Sequence, residues 1–103
     1  EYRGVSKDAC IKIKDGTKSI ADYAFYRSSN IVDVVIPNTL TYIGYGAFSN
    51  CTGMTNLMLP NSVKSIGNFS FENCFLKSIV IPKNVTTIGY RAIGLLAIFI
   101  VQI

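Results

Sequence analysis

The stretch from Met54 to Cys74, MTNLMLPNSVKSIGNFSFENC, recurs along the chain, and this recurrence constrains the fold more than any other feature. Leu57 and Leu59 flank Met58 and precede Pro60; Val63, Ile66, Gly67, Phe71 and Cys74 follow. About 23 residues earlier stand Val34, Ile36, Pro37, Leu40, Ile43, Gly44, Phe48 and Cys51. About 22 residues later stand Ile79, Ile81, Pro82, Val85, Ile88, Gly89 and Ile93. A unit this short cannot bury its own apolar face. Copies must stack and share one continuous core, so the chain is predicted to be a repeat solenoid.

Composition agrees with such a column: half of the residues are apolar. Each copy has to carry its own share of the core, because no central globule exists to dilute it. The net charge of +4 is modest. Lys12, Lys14 and Lys18 alternate with Asp8, Asp15 and Asp22 near the start, which describes a solvated, charge-mixed edge. No basic run with interleaved aromatics is present, so nucleic acid is not an expected partner. The chain has no histidine, and its carboxylates are Glu1, Asp8, Asp15, Asp22, Asp33 and Glu72. A nucleophile with a base, paired carboxylates or a metal set cannot be assembled from this inventory. The expectation is a non-enzyme, with no catalytic residue, cofactor or metal ligand assigned.

The chain is read as one domain, 1–103. Residues 1–10 form a partial or capping segment, 11–93 four repeats, and 94–103 the strand of a truncated fifth repeat. Ile11-Lys12-Ile13 is the first recognisable strand, and its alternation turns both isoleucines inward. The final GLLAIFIVQI has two readings. As a repeat strand, it places Ile98 in register with Leu76, Val101 with Ile79 and Ile103 with Ile81. As the start of a membrane span it offers only twelve uncharged residues, 92–103. That is short of the ~20 needed to cross a bilayer, so a membrane partner enters only if the chain continues past Ile103. The chain opens on Glu1 rather than methionine and is read as a processed or excised segment, with its apolar C-terminal end covered by more chain or by another copy.

Within a copy, the L-x-x-I-x-I stretch is the strand that stacks on its neighbours in one parallel sheet. Pro37, Pro60 and Pro82 end it, because proline cannot donate to the ladder. Val63 and Ile66 are expected in a short second strand or an extended turn. Gly44, Gly67 and Gly89 are expected to permit a backbone turn. The block from Gly44 to Cys51 is predicted to make one helical or 3₁₀ turn that inserts Phe48 into the core. Phe25, Phe48 and Phe71 should then stack as an aromatic spine.

The pattern I-x-I-P-x-x-V-x-x-I-G-x-x-A-F-x-x-C, carried in four copies from Ile11 to Ile93, resembles the BspA-like, treponemal-type leucine-rich repeat. It departs from that pattern at Ser28 for Cys, Ser70 for Ala, Ile93 for Phe and Ala21 for Gly. The resemblance implies a right-handed leucine-rich-repeat solenoid. It also implies kinship with bacterial surface antigens and large protist families, whose members are adhesion or host-binding proteins without catalytic activity. An extracellular or cell-surface location follows from it; an intracellular assembly is the alternative.

Cys51 and Cys74 occupy one repeat position, and stacked copies bring their Cα atoms within the range of a disulfide. They are read as reduced, buried packing residues, and Cys10 as unpaired. The sequons at Asn50, Asn68 and Asn84 are read as loop asparagines that satisfy backbone groups. Tyr42, Tyr45 and Tyr90 fall on loop-facing positions and are either contact anchors or covers for the core edge.

The residue between two inward strand positions points away from the core. Those residues are Lys12, Val35, Met58, Val80 and Gln102, and stacking aligns them as a ladder. The preceding outward position holds Cys10, Asp33, Asn56 and Ser78. Val35, Met58 and Val80 thus make an apolar stripe with Asp33 and Asn56 on its rim, the pattern of a partner site. β-Branched strand filler is the competing explanation for that stripe. The expected function is non-catalytic protein binding, in surface adhesion or recognition, through the sheet face. The alternative is a structural scaffold whose partners are further copies of the repeat stacked end to end.

Overall fold

The computed structural model describes residues 8–94 and 99–102. Eight strands run in chain order: β1 (Ala9–Lys12), β2 (Ser19–Ile20), β3 (Ile31–Val35), β4 (Tyr42–Ile43), β5 (Ser65–Ile66), β6 (Ser78–Ile81), β7 (Thr87–Ile88) and β8 (Phe99–Gln102). All pairing is parallel. One circuit contains a strand, a proline turn, a short strand and a compact turn segment that leads into the next circuit.

The solenoid of parallel strands is present, but its pairing is divided between two columns rather than gathered in one sheet. The short strands form an unbroken four-stranded ladder, β2-β4-β5-β7. Isoleucine recurs in its register, Ile20↔Ile43, Ile43↔Ile66 and Ile66↔Ile88. The long strands pair only as β1-β3 and β6-β8. The third copy has no strand between Thr55 and Leu59. Its sequence supplies a reason. The other copies place β-branched residues there, Val34-Val35-Ile36 and Ile79-Val80-Ile81, which suit the pleated conformation. The third has Leu57-Met58-Leu59, with none.

The terminal strand is also displaced from expectation. Val101 pairs with Val80 and Gln102 with Ile81, one residue away from the predicted register of Val101 on Ile79. The connection into β8 is one residue shorter than the preceding spacing implies, which moves the backbone pairing by one residue. Gln102 therefore leaves the Val80 register to Val101. Ile98 and Ile103 lie outside the described residues.

The turn segments are laddered as well. Tyr23, Phe25 and Arg27 donate their N–H groups to the carbonyls of Tyr45, Ala47 and Ser49 in the next copy. The residues between them close local turns, Ala24 N–H to Ala21 and Tyr26 N–H to Tyr23. The same alternation recurs one copy later at Gly46, Phe48 and Asn50. It requires left-handed backbone at Tyr23, Gly46, Phe69 and Arg91, and again at Arg27, Asn50, Asn73 and Gly94, with φ between 50° and 83°. The predicted helical or 3₁₀ turn is therefore replaced by a flattened chain of turns, in which half of the amides pair between copies.

Two residues after Tyr23, Gly46 and Phe69, the phenylalanines point inward. Phe25 and Phe48 stack at 5.2 Å and 11°, and Phe48 and Phe71 at 5.3 Å and 4°. Around them lie Leu40, Ile43, Met54, Val63, Ile66, Ile79 and Ile81, all buried. Gly44 and Gly67 serve close approach rather than left-handed backbone. A Cβ on Gly67 would fall 2.8 Å from the Gly44 carbonyl carbon and the Ile43 oxygen.

Candidate interaction surfaces

The sheet face is opened by the missing third strand. β3 pairs with β1 on one side, with Cys10↔Asp33 and Lys12↔Val35 opposite one another. On its other side no backbone bond reaches the third copy, whose only long-range backbone bond in this segment runs from Lys77 N–H to Thr55 O. A hollow of about 520 Å³ lies between Val32–Ile36 and Asn56–Met58. A second, of about 410 Å³, lies between Leu57–Asn61 and Val80 with Pro82. All five stripe residues are accounted for by these hollows. Asp33, Val35, Asn56 and Met58 line the first; Met58 and Val80 line the second. Met58, 86% exposed, stands between them, with Val35 at 52% and Val80 at 41%. Lys12 is exposed beside Val35.

A second surface lies along the turn segments, and sequence reading found only part of it. Rings follow one another as Tyr26, Tyr23, Tyr45, Phe69 and Tyr90, with centroids 5.4, 5.4, 5.4 and 5.6 Å apart and planes tilted by 54–81°. The strip is continuous although no single repeat position is aromatic throughout. Equivalent dipeptides read Asp22-Tyr23, Tyr45-Gly46, Asn68-Phe69 and Tyr90-Arg91, so the ring alternates between two neighbouring positions. Where the ring is absent at the first position, an oxygen replaces it: Asp22 Oδ1 accepts the Tyr45 N–H at 2.9 Å, and Asn68 Oδ1 the Tyr90 N–H at 2.7 Å. A Cβ on Gly46 would meet the Tyr23 ring at 2.8 Å, so glycine makes room for the preceding ring. Tyr42, Tyr45 and Tyr90 are exposed, Tyr42 on strand β4 rather than in a loop. An alternating offset hides Tyr23 and Phe69 from a single-position comparison, and Tyr26 has Ser49 and Glu72 at its position in the next copies. Neighbouring rings desolvate the Tyr23 phenol and push its pKa upward.

The cysteines belong to the core. Cys51 and Cys74 are unlinked and buried, and Cys10 is free and exposed. Each buried thiol donates to a carbonyl of the preceding copy, Cys51 Sγ to Phe25 O at 3.0 Å and Cys74 Sγ to Phe48 O at 2.9 Å. Burial raises both pKa values, that of Cys74 to about 12. Two of the sequon asparagines do satisfy backbone groups, Asn68 as above and Asn84 through Nδ2 to Asn61 O. Among the described residues no group of His, Cys, Asp or Glu is placed to hold a metal, and no helix is long and apolar enough to cross a membrane.

The model of the BspA-type leucine-rich repeat region, in six copies, matches residues 3–94. This chain belongs to the BspA-type leucine-rich repeat family. Three crystal structures of bacterial proteins carry the same fold. A leucine-rich repeat protein from Bacteroides ovatus is 37% identical with a TM-score of 0.77, over 81% of this chain and 22% of its own. The leucine-rich repeat protein of Treponema pallidum is 29% identical with a TM-score of 0.77, over 84% and 43%. The pneumococcal vaccine antigen PcpA is 30% identical with a TM-score of 0.78, over 84% and 22%. The chain thus spans less than half the length of each structure it resembles. No functionally curated protein matches it. Leucine-rich repeats are a protein-interaction repeat type, and relatives in this family are generally non-enzymatic binding modules.

Proposed function

We propose that the chain is a non-catalytic recognition module, with a protein partner docking on the sheet face at the third repeat and acting in surface adhesion. The observation that carries this reading is the coincidence of the apolar stripe with the opened ladder. Met58 is almost fully exposed between two hollows walled by aliphatic side chains. Its unbranched thioether adapts to an incoming surface, while Asp33 and Asn56 form a polar rim. A surface location is supported by similarity to a vaccine antigen. The scaffold reading is supported by one other observation: this chain spans 22–43% of the similar structures, so this stretch equally suits a segment of a longer stack.

Met58→Asp tests the docking site. The side chain packs on nothing that folding needs, so the thermal midpoint should stay within the equivalent of about 0.5 kcal/mol. Capture of the partner in a surface-display binding assay should be lost. Loss of folding would show that Met58 is a packing residue, and intact binding would move the docking site elsewhere.

A further inference from the structure

The turn-side strip is a second site, distinct in chemistry from the sheet face. We infer that it binds a neutral, extended polysaccharide. Four of its five rings belong to tyrosines, exposed by 52% at Tyr23, 43% at Tyr26, 37% at Tyr45 and 68% at Tyr90. Two of the ring-bearing residues, Tyr23 and Phe69, hold φ at 59° and 58°. Glycine occupies the same position in the intervening copy. The ladder between copies imposes that conformation at this position in every copy, so the backbone holds these rings in fixed places along the strip.

The surroundings select the ligand. At the centre of the strip a shallow hollow of about 260 Å³ lies beside Tyr23, Tyr45 and Phe69. Its remaining wall is made of amide, hydroxyl and carboxylate side chains, including Ser49, Asn50, Glu72 and Asn73, with no aliphatic residue. Asn73 Nδ2 donates to Asn50 Oδ1 at 3.2 Å, and Asn50 Nδ2 to Ser49 Oγ at 3.2 Å, which fixes an amide row alongside the rings. Glu72 is the charged residue of the wall, and it is ion-paired with Arg91. The site is therefore neutral, aromatic on one side and rich in donors and acceptors on the other.

A sugar ring has that same division. Its C–H faces lie on aromatic rings, and its hydroxyls both donate and accept. A protein partner would be expected to find aliphatic side chains, as the sheet face provides and this hollow does not. The cation beside the hollow, Arg27, is seated on the Tyr26 ring 5.5 Å from its centroid, and Arg91 is taken by Glu72, so no cluster of cations is offered to an anionic ligand. Each of the four copies contributes at least one ring, and neighbouring rings lie 5.4–5.6 Å apart, about the length of one pyranose residue, which matches a chain polymer rather than a single sugar.

Tyrosine emission reports on the strip, because four of the six tyrosines belong to it and the chain has no tryptophan. The chain is titrated with cellohexaose, mannohexaose and chitohexaose. At least one should give a saturable change, weakened about tenfold by Tyr45→Ser, the upper end of what one ring contact supplies. Tyr45→Phe should retain binding, since the ring face carries the contact, and Met58→Asp should leave it untouched. Tyr90→Ser, at the most exposed ring, repeats the test should Tyr45→Ser fail to fold by circular dichroism. Absence of saturation with all three sugars, or equal affinity in every folded serine variant, overturns the inference. So does a protein partner that is captured through the strip while none of the sugars binds.

Discussion

Two columns of aromatic rings run through this molecule, and they are built by opposite rules. Phe25, Phe48 and Phe71 recur at one repeat position and stack within 11° of parallel; Phe48 and Phe71 are sealed from water, and Phe25, at the end of the column, is half-buried. Tyr23, Tyr45, Phe69 and Tyr90 alternate between two positions, meet at steep angles, and face solvent, with Phe69 half-buried. Where a ring must fill a fixed volume between stacked circuits, its position and orientation admit little variation. Where only a continuous ring surface is kept, either neighbouring position serves. Invariance along the repeat therefore marks packing, and alternation marks a surface.

The largest effect that separates the columns is truncation. Phe48→Ala should destabilise the chain by about 3–5 kcal/mol in urea unfolding, because its cavity lies between two rings that cannot collapse onto it. Tyr45→Ala removes tilted contacts of about 0.5–1.5 kcal/mol each from a partly exposed ring, and its cost should be clearly smaller. Equal costs would erase the distinction drawn here.

A smaller effect is linked to pH. The Cys74 thiol donates to Phe48 O and is pushed up to about 12 by burial, above an ordinary value of 9.0. A folded-state pKa raised in this way leaves its stabilisation intact below about pH 9 and removes it as pH climbs toward 12. The decline reaches at most about 1.4 kcal/mol per pH unit for one proton. Urea midpoints from pH 8 to 11 should fall more steeply in the native chain than in Cys74→Val. Parallel slopes would detach the thiol from the buried column.

The smallest effect is a near-cancellation. Phe69→Gly relieves a left-handed backbone worth roughly 1–2 kcal/mol and forfeits two ring contacts of similar total size. Its thermal midpoint should move little, whereas the same substitution at Phe71, in the buried column, should unfold the chain. A large loss at Phe69 would place it in the core set instead.

The two columns also divide what was legible in the sequence. The phenylalanine spine, the cysteine position and the inward isoleucines Ile20, Ile43 and Ile66 follow from a single-position comparison and stand where it puts them, whereas Ile88, the last of that ladder, is 49% exposed. Second-column residues needed a comparison of copies taken in pairs. The laddered turns were hidden for another reason: left-handed backbone at Tyr23, Phe69 and Arg91 contradicts local preference, and only pairing between copies holds it. The gap in the sheet was written in the sequence, as the absence of a β-branched residue from Leu57-Met58-Leu59, but periodicity alone treats leucine and isoleucine as equals. Val35, Met58 and Val80 were placed outward correctly, because alternation within a strand does not depend on whether its ladder closes.

The alternation of Asp22-Tyr23, Tyr45-Gly46, Asn68-Phe69 and Tyr90-Arg91 also sets how such a chain can lengthen or shorten. The core sees every copy as equivalent, so losing or duplicating a single copy leaves the phenylalanine column and the isoleucine ladder in step. The ring strip does not. Deleting the Tyr45-Gly46 copy would bring Asp22-Tyr23 against Asn68-Phe69, two rings at one position with no glycine between them and two polar side chains in succession where a ring should follow. Recombination between copies is neutral for the fold but has a parity at the surface: inheritance of an intact strip proceeds by twos.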